Sequence, residues 1–278
     1  MIRTCIVIVR YNIKKWKNDY HMFFCLIYLF LISDMILRPA RRLAEGLGVS
    51  PSVSSFSLIW NSRFFLLLFF FGVMLFYSNA PFQDSMSTFV IIRCGKMRFM
   101  IAQVCYIIVV GMMIPIVFFL IQFGLFPSSG RNEWGKFWGT LAQTGVGIQA
   151  GCRIEFQYHI LWDYGPEEAL AITFLICVLL TIMTGLLLYF FSLFRMKTFG
   201  ICLLSGFIIL PEIVDWLDFT TFNWMSPYSW ICLDTTMKSY NGSLPSLSYV
   251  FPILCFLNGC IILGIIVKTK TSKEVLLQ

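Results

Sequence analysis

Residues 99–123, FMIAQVCYIIVVGMMIPIVFFLIQF, hold 25 positions without one charged side chain. At about 1.5 Å of rise per residue a helix of that length reaches about 37 Å, more than the ~30 Å hydrocarbon core of a bilayer. Backbone polar groups in lipid must be satisfied within the segment, so the run reads as a transmembrane helix. The same reading extends outward to 57–77 and 22–38 on one side, and to 168–194, 199–217 and 247–267 on the other. Strand alternation of the kind that builds a membrane barrel is absent. The expectation is an all-α membrane protein with six spans in a single transmembrane domain over 1–278.

Composition agrees. The chain is 58% hydrophobic and 13% charged, whereas soluble domains sit near half apolar and a quarter charged. Of its ten cysteines, Cys25, Cys105, Cys177, Cys202, Cys255 and Cys260 fall inside apolar runs, where cysteine acts as a small hydrophobe. Cys5 and Cys94 lie beside basic segments, and only Cys152 and Cys232 share a side on which pairing is open. No CxxC or Cys/His ligand spacing occurs, which argues against a metal site.

Six spans place both termini on one side. With the segments around Arg93–Arg98 and Arg195–Lys197 they carry a net +10, while the other side carries −3 of the total +7. Cytoplasmic loops hold the Lys/Arg excess, so the termini and residues 78–98 are expected in the cytoplasm of a plasma-membrane protein. Residues 1–21, rich in Arg3, Arg10, Lys14, Lys15 and Lys17, read either as an amphipathic helix on anionic lipid or as a basic flank of the first span. The segment RPARR, with Arg38, Arg41 and Arg42, falls outside against the charge bias. Asp34 and Arg38 are spaced to pair on one helix face. Outer loops are expected at 124–167, with Trp134, Trp138 and Trp162 suited to an interface belt, and at 211–246. In the second loop Glu212, Asp215 and Asp218 alternate with Trp216, Phe219, Phe222, Trp224, Tyr228 and Trp230, a pattern for the outer headgroup level.

Several chemical signals fail on inspection. GRNEWGKF, 130–137, has the G-x-x-x-x-G-K of a phosphate loop, but Phe137 stands where the magnesium-binding hydroxyl belongs and no strand precedes it. Glu167 and Glu168 resemble the paired glutamates of an intramembrane protease, yet both histidines, His21 and His159, precede them. An acidic first turn on a helix dipole explains the pair better. Asn241-Gly-Ser fits a glycosylation acceptor. Ionisable side chains at mid-membrane, the mark of an ion-coupled transporter, are nearly missing, and no internal repeat is visible. The expectation is a non-enzyme with no catalytic, metal or cofactor site of its own and no nucleic-acid partner.

The cytoplasmic stretch 78–99, SNAPFQDSMSTFVIIRCGKMRF, carries more than a linker needs. Asn79, Pro81 and Asp84 suit a helix start. Phe82, Met86, Phe89 and Val90 then form an apolar stripe that Gly95 ends. The stripe serves either a partner's groove or the lipid surface. FYSNAPFQDSMSTFVIIRCGKMRFMIAQ, 76–103, is similar to the loop after the second span in permease subunits of the type-2 ATP-binding-cassette (ABC) superfamily. The resemblance covers the basic amino-terminal helix, six spans, the long loop after the third and the aromatic segment before the sixth. It implies a coupling helix in which Phe82, Met86, Phe89 and Val90 dock on a cytosolic ATPase, with Arg93, Lys96 and Arg98 beside them. It implies an outer gate of re-entrant helices around Glu212, Asp215, Trp216 and Trp224, a second permease subunit, and ATP with magnesium on the ATPase. The implied function is export of a peptide, lipid or drug, the alternative being a non-transporting scaffold or sensor subunit. Gly111, Gly185, Gly206, Gly259 and Gly264 are candidate positions for close helix approach.

Overall fold

The computed structural model describes residues 2–16, 20–51, 55–79, 87–128, 133–144, 146–152, 154, 157–217, 220–236, 238 and 244–271. Among these there are helices and no strand: α1 (Ile2–Lys15), α2 (Tyr20–Leu47), α3 (Phe56–Ile59), α4 (Arg63–Tyr77), α5 (Ser87–Cys94), α6 (Lys96–Leu125), α7 (Gly135–Gln143), α8 (Val146–Gln149), α9 (His159–Asp163), α10 (Pro166–Leu193), α11 (Lys197–Trp216) and α12 (Leu247–Thr271). Two 3-10 turns, Thr220–Trp224 and Pro227–Ile231, separate α11 from α12. Five helices, α2, α6, α10, α11 and α12, are long and apolar enough to cross a membrane, and the apolar α4 is shorter. The protein is an all-helical, multi-pass membrane protein.

The bundle is organised around α10, which packs on α4, α6, α11 and α12. Its contact with α6 is close because two glycines lie in it. A Cβ on Gly111 would come within 2.5 Å of the Ile182 side chain, and one on Gly185 within 2.8 Å of Ile107 and Tyr77. Thr181 donates its hydroxyl to the Gly111 carbonyl at 2.7 Å. Tyr189 reaches the Met100 sulfur, so α6 and α10 run antiparallel. Gly264 similarly admits Phe190, but Gly206 and Gly259 have open space around them within the chain.

The antiparallel order gathers the start of α6, the end of α10 and the adjoining short turns at one end of the molecule. This end carries Arg3, Arg10, Lys14, Arg93, Lys96, Arg98, Arg195, Lys197, Lys268 and Lys270, with the Lys268 ammonium 4.3 Å from the centre of the Phe194 ring. It is called the basic end below.

Three expectations change. The span read as 57–77 is not one helix, because polar Asn61 and Ser62 interrupt it and Ser62 caps α4 by accepting from the Phe65 amide. The first span does not stop at 38. α2 runs through Pro39 to Leu47, its last turns held by ion pairs from Arg38 and Arg41 to Asp34 and from Arg41 to Glu45. RPARR is therefore part of a helix, and the Asp34–Arg38 pairing forms. Finally, α1 does not simply lie apart from the bundle. It packs on α6 through a buried Asn12–Gln103 hydrogen bond of 3.2 Å and a Trp16–Tyr106 bond of 2.8 Å.

At the opposite end, residues of the long loop form a small aromatic cap. Phe126, Phe137 and Trp138 meet edge to face, and Trp134 donates to the Tyr164 carbonyl at 2.9 Å. Trp138 is fully buried and Trp162 is exposed, so of the three tryptophans expected in a belt only Trp162 faces outward freely. Phe137, the residue that spoils the phosphate-loop pattern, is core.

Candidate functional site

The most unusual arrangement begins at the break before α4. Arg63, the first residue of that helix, keeps 10% of its side chain exposed and pairs with Asp234, whose carboxylate oxygens are both 3.2 Å from Nη2. Asp215 of α11 approaches Arg63 Nε at 3.9 Å from a solvent-facing position. Asn61 accepts from the Asp234 amide at 3.4 Å, and Cys232 donates to the Trp60 carbonyl at 2.9 Å. Two irregular corners, 60–63 and 232–234, are thereby fastened across 171 residues of chain. Cys232 is fully buried and its thiol serves as a donor. Burial raises the Asp234 carboxyl, with the Arg63 charge pulling it back. Among the described residues Trp60 Nε1, Asn61 Nδ2 and Arg63 Nη1 are buried with no hydrogen-bond partner, where low polarity makes each donor expensive.

From this clasp the chain 226–233 runs into the bundle, and all eight of its residues are buried. Tyr228 goes deepest. Its hydroxyl is 2.9 Å from Thr184 of α10 and its ring 4.7 Å from that of Phe70 in α4. Thr184 lies 18 residues beyond Pro166, or about 27 Å along α10. Non-helical backbone inside such a bundle is tolerated where protein covers it. Here it also satisfies itself: Ser229, Cys232 and Thr235 amides bond to carbonyls three residues back. The Ser229, Thr235 and Thr236 hydroxyls donate to local carbonyls. The segment is a plug seated between α4, α10 and α11.

The gate residues expected from sequence do not converge. Glu212 and Trp216 are exposed on α11, Asp215 is the outer arm of the Arg63 clasp, and Trp224 is half-buried against Tyr249 at 4.9 Å. Asp218 and Phe219 lie outside the described residues. The chain turns into the bundle through a 3-10 turn centred on Tyr228. Asp234 and Arg63 were missed as partners. The available signals were the polar triplet Asn61-Ser62-Arg63 inside an apolar run and the hydroxyl-rich sequence from Ser226 to Thr236.

The second place of interest is α5, at the basic end between α4 and α6. Phe82 and Met86 lie outside the described residues. Val90, Ile91 and Cys94 pack with Cys5 and Ile8 of α1 and with Phe99 and Ala102 of α6. Phe89 and Ile92 face away, 65% and 73% exposed, and Arg93 and Arg98 are exposed beside them. Lys96 is half-buried. Val90 is half-buried against this cluster, and Ile92 joins Phe89 on the exposed face. Gly95 turns the chain into α6 with φ of 82°, a conformation that costs any other residue. Among the described residues no cluster of three His, Cys, Asp or Glu is placed to hold a metal.

No protein-family model matches the chain, and neither a curated protein nor a solved structure matches it.

Proposed function

We propose that the chain is the membrane subunit of an ATP-driven exporter of the type-2 ABC kind. It lines a path with a second permease subunit and is moved by a separate cytosolic ATPase that holds ATP and magnesium. In this reading α3 and α4 together make a sixth, broken crossing, and the basic end is cytoplasmic by the Lys/Arg bias. The observation that carries the proposal is α5: a short helix at the basic end whose inner face is packed and whose outer face offers Phe89 and Ile92 with cations around them. An apolar pair on an exposed helix suits a groove in a partner protein.

The packing provides a contiguous route from that surface to the plug. Movement of α5 bears on α1 and α6 through Ile91, Phe99 and Ala102. The crossing at Gly111 and Gly185 leaves α6 no room to slide without α10, and α10 holds Tyr228 through Thr184. Rigid-body displacement driven by closing ATPase subunits would thus be felt at the plug. Cargo of peptide, lipid or drug character is compatible with the apolar surroundings.

Co-purification from the native operon in detergent tests this. A cytosolic ATPase should accompany the wild-type chain, be lost from Phe89→Asp and Ile92→Asp, and remain with Gly206→Ala. Recovery of the chain without any ATPase, with both α5 variants unchanged, would instead leave a non-transporting scaffold or sensor subunit.

A further inference from the structure

Beside the α1–α6 contact lies a groove of about 420 Å³, within the range of small-molecule pockets. Its floor is Ile6, Val9 and Ile13 of α1 with Ile101, Cys105 and Val109 of α6. Those α6 positions extend from the fifth residue after the helix start inward for about 12 Å, so the groove begins at the basic end and runs toward mid-membrane. Arg10 also lines it. Arg3, Arg10 and Lys14 recur at seven and four residues, which places them along one edge of α1, and all three are exposed. None of the three has an ion pair with an acid among the described residues. An apolar trough with a cationic lip is complementary to a molecule having an alkyl chain and a negative head. The Asn12–Gln103 bond behind the floor fixes the separation of the two helices, so the trough exists before it is filled.

We propose that this groove holds one anionic phospholipid of the leaflet at the basic end. An acyl chain lies on Val9, Ile13, Cys105 and Val109, and the phosphate contacts Arg10, with Arg3 on the side of the basic end. This goes beyond the general attraction of a basic helix to an anionic surface, because the site is a single one with defined walls. It does not depend on the exporter reading.

Native mass spectrometry of the detergent-purified chain, loaded with dioleoyl phosphatidylglycerol or phosphatidylcholine, is the test. One phosphatidylglycerol per chain should survive at collision energies that strip phosphatidylcholine. Arg10→Gln should reduce its retention about fivefold, the effect of one cation beside an anionic headgroup. Val9→Trp should fill the floor and reduce retention without changing charge. In parallel, phosphatidylglycerol should protect Cys105 from N-ethylmaleimide, read on its peptide, in the wild-type chain but not in Val9→Trp, while millimolar inorganic phosphate should neither protect nor displace. Unchanged elution and melting of both variants would show that they fold. Equal retention of the two lipids, full retention in Val9→Trp, or protection by inorganic phosphate alone would overturn the proposal.

Discussion

Removing the Arg63 guanidinium would leave Asp234 buried beside Cys232 with its charge uncompensated. Breaking one side of a buried ion pair costs about 3–5 kcal/mol, so Arg63→Gln is expected to lower the melting temperature in detergent sharply. Replacing both partners, as in Arg63→Met with Asp234→Leu, should recover most of that loss, and a double-mutant cycle read by thermal unfolding checks it. Arg63→Lys should recover little, since an ammonium does not reproduce the planar donor fork. Deeper in the molecule, Tyr228→Phe removes one hydrogen bond to Thr184, worth about 0.6 kcal/mol between helices in a membrane, and should shift melting only slightly. The contrast between two acidic residues shows what was readable from sequence. Asp34 and Arg38 are one helical turn apart, so spacing alone announces their pair. Arg63 and Asp234 are joined only because two distant corners fold against each other, and no local period encodes that.

The glycines separate helices that must touch within the chain from helices that need not. Gly111→Ala would drive a methyl into Ile182, whose backbone nitrogen lies 3.1 Å from the added carbon. Overpacking of this kind costs about 1–3 kcal/mol. Gly206→Ala meets nothing and should be neutral or gain up to about 1 kcal/mol from helix propensity; melting curves of the two variants side by side test the difference. Ser62→Ala removes the cap of α4 and should cost about 1 kcal/mol by the same measurement. The five long apolar helices were legible because a charge-free run of that length has few other readings. The break at 60–62 was not, since a hydropathy window averages Asn61 and Ser62 into the phenylalanines that follow. The stripe on α5 was legible as apolar spacing, but which part of it faces inward depends on α1, which sequence alone left between the lipid surface and the first span.

Across the whole molecule, charge separates the two ends more clearly than shape does. If the basic end is cytoplasmic, Lys238→Cys should react with an impermeant thiol reagent on intact cells, and Lys197→Cys only after permeabilisation, as judged on their respective peptides. The reverse pattern would invert the topology. Between these ends stands the segment from Ser226 to Thr236, and its internal bonding has a mechanical meaning. Several of its amides and hydroxyls are satisfied by its own carbonyls, so part of its shape is not borrowed from the walls around it. Among the described residues, what ties it to those walls includes Tyr228, Cys232, Asp234, the Thr236 carbonyl and the Trp230 ring against Tyr249 of α12. Such a piece behaves like a cork: it can be drawn out whole, keeping its form, once a few fastenings are released, and the bottle is left with its neck unchanged.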